Sequence, residues 1–586
     1  MSAKKNQNRS NSLSPSSMVL DIFGVIAIWI FVSGGILFRS LYLDRNIVLE
    51  IADYGWFFLP LCIAFLFKGR TAAKQSLVIS ALKVVWKDLL ARSRASRPKQ
   101  CLFVCSILAV LTFCHIAGTW NRYLSFKGDW DLAIYANACA NGLFSSLRYD
   151  RSILGDHFEP LLFLLTPLCQ VFDAVPALLV IQSITFGIGG VGIFFLARSL
   201  RWSFPSSLVL SIFYILFPGN MSSILHDFHM ITFALGILPW LFFAFCTHRL
   251  VLFTLLALCY CGLKETASLT IAGFGALFLF RAVFSRQTSN QKLEKNWITG
   301  GAGIFFVLFS LGLFLFVMHV ALPFFRNGEQ SMYIEKQFGH LGKSIPEILI
   351  NLATNPLLFF KTTMTLAKLK YVFFLFLPFL FIPLLSPALL LPALPALLIN
   401  LLSNDPSMYR GGFHYQSEIF PVLFVATMFA LQKSPTLFQN RFSRRNNLRF
   451  PPKNFTPLRL VWLLWFLVAW SGRAPLWYPS FYRPDLVHIT MHKDLLTMRD
   501  QYKDKKVSAI EKVVTHLAPI RNLYLLDRWK EADVIIIGYP REKHLWHFPY
   551  EKVEQEIIPQ AEMSGFVKVF EHPIYRSFRV WERSGQ

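Results

Sequence analysis

Residues 101–119 read Cys-Leu-Phe-Val-Cys-Ser-Ile-Leu-Ala-Val-Leu-Thr-Phe-Cys-His-Ile-Ala-Gly-Thr, without one Asp, Glu, Lys or Arg. A helix rises ~1.5 Å per residue and the hydrocarbon layer is ~30 Å thick, so this run is long enough to cross a bilayer. What flanks it sets its direction. Residues 68–100 carry Lys68, Arg70, Lys74, Lys83, Lys87, Arg92, Arg94, Arg97 and Lys99 against Asp88 alone. Basic loops stay on the cytoplasmic side, so this one is read as inside. Beyond the run, residues 120–160 gather Asp129, Asp131, Asp150, Asp156, His157 and Glu159. That loop is expected to face outside.

The same reading extends along the chain. Apolar runs recur at 18–38, 47–67, 175–197, 205–218, 230–247, 250–263, 267–283, 298–320, 371–385, 387–402, 417–432 and 458–471. Together they predict an all-α polytopic membrane protein of about 13 spans. Residues 160–173 are apolar but short for a span and read as a juxtamembrane or re-entrant helix on the outer side. The N-terminus is placed in the cytoplasm and the C-terminus outside. Four regions follow: a basic tail (1–17), a hairpin with its basic loop (18–100), a main membrane domain (101–471) and an outer domain (472–586). The last is polar. Runs such as Val534-Ile535-Ile536-Ile537 and Phe566-Val567-Lys568-Val569-Phe570 predict strands, and 508–516 a helix, hence a small α/β domain.

The whole chain is 54% hydrophobic, 16% charged and has a mean hydropathy of +0.45. Its formal charge of +24 would suggest nucleic acid in a soluble protein. Here the excess sits in loops between apolar runs, so the bilayer is the partner and nucleic acid is excluded. Cys101 with Cys105, and Cys259 with Cys261, lack partners at zinc spacing and read as small hydrophobes. No cofactor is expected, and a divalent metal stays open.

Carboxylates and imidazoles pressed against a membrane are the chemistry-bearing feature. Asp131 reads as a general base, with Asp129 in support; its alternative is a cap on the helix that follows. His157 and Glu159 read as substrate-binding groups, with helix capping as the alternative for Glu159. Lys264 and Glu265 interrupt two apolar runs, where ionisable groups usually line a cavity or pair with each other. Arg326, Arg410, His414 and Tyr415 are further outer-side groups able to face a phosphate. His226 and His229 stand i, i+3, which on a helix puts both on one face; with Asp131 they are weak metal candidates. Ser344 and Glu347 form a capping-box pattern.

The order of these segments resembles a known family. It runs Trp-Asp-Leu-Ala-Ile-Tyr (130–135), Gly-Asp-His-Phe-Glu-Pro (155–160), Leu-Lys-Glu-Thr-Ala (263–267) and His-Leu-Gly-Lys-Ser-Ile-Pro-Glu-Ile (340–348). Leu-Leu-Ser-Asn-Asp-Pro (401–406) and Gly-Gly-Phe-His-Tyr-Gln-Ser (411–417) follow. The pattern resembles the bacterial membrane-protein family called domain of unknown function 2079, over about residues 115–580. That family in turn resembles the type C fold glycosyltransferases, which use lipid-linked sugars. The resemblance implies an acidic residue serving as catalytic base at Asp131 and a second functional segment at His157 to Pro160. The chain departs from that pattern in having Asp-His-Phe-Glu-Pro rather than His-Pro-Pro, and Trp130 where Phe is common. The expected activity is sugar transfer from a polyprenyl-phosphate donor to an acceptor on the outer face. The alternatives are a transporter or flippase, or a non-catalytic scaffold.

Overall fold

The structure is a computed structural model and describes residues 97–128, 130–148, 150–284, 290–328, 332–411, 413–432, 484–539 and 548–584. The expected spans 18–38, 47–67 and 458–471, the basic tail and Asp129 lie outside the described residues. All described residues belong to one compact unit.

The run quoted first forms helix α1 (Arg97–Leu124). It exposes Leu102, Val110 and Phe113 on one side, as a lipid-facing helix does. A short helix α2 (Trp130–Ala140) follows and is buried from Leu132 to Cys139. Next come α3 (Ala174–Ser199), α4 (Phe204–Leu216), α5 (Pro218–His226), α6 (Ala234–Cys246), α7 (Leu250–Cys261), α8 (Ala267–Phe284) and α9 (Asn290–Phe316). A π-helical turn and one further turn carry α9 on to Phe325. Among the described residues, 4 helices are long and apolar enough to cross a membrane, or up to 5 if the bent pair α4–α5 counts as one span. The chain is therefore a multi-pass, mostly helical membrane protein.

Several expected spans have a different form, and proline is the recurring reason. Pro218 has no N–H to continue α4, and the pair bends by 42° there. Residues 371–402 are no simple hairpin of two helices. Pro378, Pro383, Pro387 and Pro392 break them into 3₁₀ segments between a helix at Leu366–Phe376 and another at Leu394–Leu402. Residues 160–173 are a 3₁₀ turn (Pro160–Leu164) and a short helix (Thr166–Val171). They bury Leu162, Leu165 and Cys169 and expose Phe163, Leu164 and Val171.

Small residues let the central helices approach closely. A Cβ on Gly189 of α3 would stand 2.2 Å from the Leu235 carbonyl oxygen of α6, and one on Gly236 would stand 2.4 Å from Thr185 O. Pro239 lies inside α6 and cannot donate to that Leu235 carbonyl. The Tyr214 hydroxyl of α4 donates to it instead, at 2.5 Å. One proline thereby ties α4 to α6 inside the apolar core.

After the membrane helices comes helix α10 (Leu486–Gln501), then a five-stranded sheet. With β1 (Phe144–Ser145) and β2 (Arg151–Ser152) forming a small ladder in the 141–153 loop, the sheet holds β3 (Val507–Ala509), β4 (Leu523–Leu525), β5 (Val534–Ile537), β6 (Phe566–Glu571) and β7 (Arg579–Arg583). The order is β4-β3-β5-β7-β6. β3 pairs parallel with β4 and β5, and β7 antiparallel with β5 and β6. Residues 508–516, expected as one helix, divide into strand β3 and helix α11 (Glu511–Leu517). The Val-Ser-Ala of β3 is buried on both faces, which suits a central parallel strand better than a surface helix.

The α/β part grips α2 and the loop beyond it. The Asn137 amide donates to Ala518 O at 2.8 Å and Ile520 O at 2.7 Å, and accepts from the Ser145 hydroxyl and the Ser146 N–H. Ser146 Oγ donates to Leu523 O and accepts from Leu523 N. Arg528 pairs with Asp150 at 2.7 Å, and the His516 ring stacks on Tyr123 and Phe126.

Candidate functional site

The site begins at the N-terminus of α2. Asp131 lies in the first turn of that helix rather than at its cap. Its Oδ2 is 3.2 Å from His229 Nε2, and about a third of its side chain is exposed. His229 does not share a helix with His226. α5 ends at His226, Asp227 is fully extended, and His229 is extended ahead of a 3₁₀ turn at Met230–Phe233. The expected two-histidine helical face is therefore absent, because Asp227 breaks the helix between them. His229 instead stacks on His414, with ring centroids 3.6 Å apart.

Asp227 explains the break. Its carboxylate is fully buried, with Oδ2 accepting the Leu132 N–H of α2 at 3.1 Å and Arg122 at 3.8 Å from Oδ1. A carboxylate at a helix N-terminus offsets the positive end of the helix dipole. Gln182 of α3 completes the support. Its amide donates to Ile224 O and Asp227 O and accepts from the His229 N–H and the Thr232 hydroxyl. These bonds hold the 224–232 segment on α3, while Asp227 ties it to Leu132 of α2, so Asp131 and His229 meet. Replacing Asp227 with Ala strands the Leu132 N–H, which costs about 1–3 kcal/mol. Asp227→Asn keeps an acceptor. We expect the Ala variant to show the larger loss of thermal stability in detergent, with equal losses counting against this role.

A second arm starts one turn further along α2. The Tyr135 hydroxyl donates to Glu159 Oε1 at 3.1 Å. Glu159 is 2% exposed, and its side chain makes no cap for the 3₁₀ turn after it. Its other oxygen, Oε2, is buried without a hydrogen-bond partner among the described residues. Burial drives the Glu159 carboxyl up to about 8, against the opposing pull of His157 and Lys264.

Neighbouring His157 bonds Glu265, Nδ1 to Oε1 at 3.0 Å, while Glu265 Oε2 accepts the Phe158 N–H at 3.1 Å. Burial opposes the charge on Glu265, but His157 and Lys264 outweigh it and bring the carboxyl down to about 2. Burial and Lys264 likewise oppose the charge on His157, and Glu265 overcomes both, raising the imidazole above its ordinary range. Lys264 and Glu265 are thus not simply each other's partners. Lys264 faces Glu265, Tyr415, Glu159 and Glu418, which together overcome burial and hold its ammonium above the usual range. No described residue accepts a hydrogen bond from that ammonium.

The two arms close into one ring. From Asp131 contacts run through His229 and His414 to Tyr415, and from Glu265 through His157 and then, two residues on, from Glu159 through Tyr135 back to α2; Lys264, next to Glu265 in the chain, joins Tyr415 and Glu159 through electrostatic interaction alone. Tyr415 is anchored through its carbonyl by Asn400 at 3.2 Å, and Glu418 beyond Lys264 accepts from Tyr260 and Thr270. Arg326 is turned elsewhere: its Nε and Nη2 donate to the carbonyls of Gly155 and Asp156. A Cβ on Gly155 would stand 2.6 Å from Phe325 O, so the loop lies directly on the end of the α9 span. Arg410 is exposed on the 403–417 turn. Among the described residues no group of three or more His, Cys, Asp or Glu side chains is arranged to hold a metal ion. The helix at Ile345–Thr354 has half of the expected capping box. Ser344 accepts from the Glu347 N–H, but Glu347 reaches the Lys343 N–H instead of the cap.

Tyr135 of the ring, and Gln182, Asp227 and Glu418 behind it, are residues to which a reading by motif gives no role. Two carried a signal: Gln182 is an amide inside an apolar run, and Glu418 an acid at the start of one. Tyr135 carried only its i+4 spacing from Asp131.

No curated protein matches the chain. A family whose description reads "Predicted membrane protein (DUF2079)" matches residues 124–471, which begin at the end of α1 and stop before the α/β part. That match covers more than half of the sequence, and the chain belongs to this family of membrane proteins.

Proposed function

We propose that the chain is a membrane glycosyltransferase of the type C kind, moving a sugar from a polyprenyl-phosphate donor to an acceptor hydroxyl. The observation that carries the reading is the ring itself. It combines a carboxylate, about a third exposed and held by an imidazole, with a lysine ammonium that no described side chain engages by a hydrogen bond. The first is what a general base needs, and the second suits an anionic leaving group.

In this reading Asp131 takes the proton as the acceptor oxygen attacks the anomeric carbon. The new C–O bond forms while the bond from that carbon to the phosphate oxygen breaks. The leaving polyprenyl phosphate gains negative charge, and Lys264 offsets it. His229, with its proton on Nε2, donates a hydrogen bond to Asp131 Oδ2 and fixes the carboxylate. His157 and Glu265 keep the Lys264 turn in place, and His414 and Tyr415 line the wall between. Asp129, two residues earlier in the sequence, is the proposed support for Asp131. The apolar spans hold the polyprenyl chain at the level of the lipid tails, so the donor never leaves the bilayer.

The fuller topology belongs to the same proposal: about 13 spans, a type C bundle, the N-terminus in the cytoplasm and the α/β part outside the bacterial inner membrane. The ring then faces outward with the loops that carry it. Lys264→Met tests the phosphate role. Losing a charge-assisted contact of about 1.5–3 kcal/mol should cut kcat/KM for the donor by about 10- to 100-fold. Transport of a solute by the protein in liposomes, without donor turnover, would favour the transporter reading.

A further inference from the structure

We infer that Glu159 is a proton-carrying partner of the phosphate site, so that a phosphate-bearing ligand binds at Lys264 together with a proton on Glu159. The inference rests on Lys264 as the phosphate contact and adds a second donor and a proton to it.

Charge and burial lead there. Three carboxyls, Glu159, Glu265 and Glu418, lie around two cationic side chains, His157 and Lys264. Glu265 is fixed as the anion, since it holds the His157 ring and the Phe158 N–H. Glu418 accepts from two hydroxyls through a single oxygen. Glu159 is different. One oxygen accepts from Tyr135, and the other is buried with no hydrogen-bond partner among the described residues. A buried polar atom left in that state costs about 1–3 kcal/mol and calls for a proton, a water or a ligand atom.

The groups that face Glu159 agree. Tyr135 on α2 donates to it and brings no charge, and Cys139 on the same helix is neutral. His157 and Lys264 favour its ionised form, and Glu265 opposes it. Burial outweighs the cations, in keeping with a carboxyl that keeps its proton near neutral pH. A phosphate brought to Lys264 adds negative charge to this group of residues and offsets the lysine. Both effects push the Glu159 proton on more firmly. The protonated oxygen becomes a donor, matching the acceptor oxygens of a phosphate. An ionised Glu159 would repel the same ligand.

The sign of the pH dependence follows. Well below pH 8 Glu159 already carries its proton and binding takes up little, the uptake growing as the pH nears 8. Above that, each binding event draws a proton, and affinity falls by up to ~10-fold per pH unit. His157 and the phosphate titrate too, so the Glu159→Gln variant serves as the internal control. Gln keeps an oxygen for Tyr135 and an N–H donor at the second position.

The test is calorimetry on the full chain in nanodiscs from pH 7 to 9.5, in two buffers of different ionisation heat. The probes are inorganic phosphate and decyl phosphate. The expected result is proton uptake above pH 8 in the wild type, with a clearly shallower fall in affinity in Glu159→Gln. Tighter binding of decyl phosphate than of inorganic phosphate would identify a lipid-borne ligand, and equal binding a free one, with the proton linkage expected in either case. Binding without proton uptake, or an unchanged pH slope in the Gln variant, overturns the inference and leaves Lys264 as the phosphate contact. No binding of either probe overturns both.

Discussion

Asp131→Asn is expected to lower kcat for sugar transfer by about 10²- to 10⁴-fold while leaving the KM for the donor nearly unchanged. The amide fits the same space and still meets His229, but it accepts no proton from the acceptor hydroxyl. Because the Asp131 side chain is about a third exposed, the substitution adds no buried unpaired charge, and the fold should persist. Asp131→Glu should retain part of the activity, since a carboxylate remains but moves about one bond away from His229. His229→Gln should lie between these, because the base survives and only its orientation is loosened. Initial rates with a lipid-linked sugar donor, with protein level and thermal stability measured alongside, check the series. Full activity in Asp131→Asn would remove Asp131 as the base.

The second large effect is structural. Asn137→Leu should loosen the α/β part from α2 and destabilise the protein by about 3–5 kcal/mol. All four hydrogen-bonding positions of the Asn137 amide are used, two as donors to the carbonyls of Ala518 and Ile520 and two as acceptors from Ser145 and Ser146. Leucine removes them together and leaves buried groups on both sides of the seam, each worth about 1–3 kcal/mol when unsatisfied. Hydrogen exchange over residues 130–146 should quicken. Because α2 carries Asp131 and Tyr135, activity should fall too, although Asn137 is absent from the ring. Unchanged exchange in this segment would show that the α/β part does not steady α2.

How far the sequence discloses this arrangement depends on the kind of signal. Apolar length is strong, and the runs behind α1, α3, α8 and α9 fold as full helices. Proline weakens it: 371–402 carries no charged residue, yet its prolines turn it into short helical pieces. Position in the ring is partly legible. Asp131, His157, Glu159, Lys264, Glu265, His414 and Tyr415 are polar residues at the ends of apolar runs, and they converge. Arg326 has the same signature but turns to the carbonyls of Gly155 and Asp156, because Gly155 brings that loop onto Phe325. Sequence spacing does not show this, since the contact spans residues far apart in the chain. The His226–His229 spacing misleads for a local reason: it assumes a continuous helix, and Asp227 leaves the helical conformation to reach Leu132. The Asn137 seam gives no periodic signal at all, because isolated polar side chains such as Asn137, Ser146 and Asp150 make it.

Phosphorus NMR of the wild-type protein in nanodiscs, supplied with a polyprenyl-phosphate sugar and a hydroxyl acceptor, tests the central claim most directly. The donor phosphorus is a diester and the released polyprenyl phosphate a monoester, so their resonances separate. Steady conversion of diester to monoester in the wild type, nearly abolished in Asp131→Asn, is the predicted result; a donor resonance that persists unchanged with folded wild-type protein, or converts equally fast without Asp131, would contradict it.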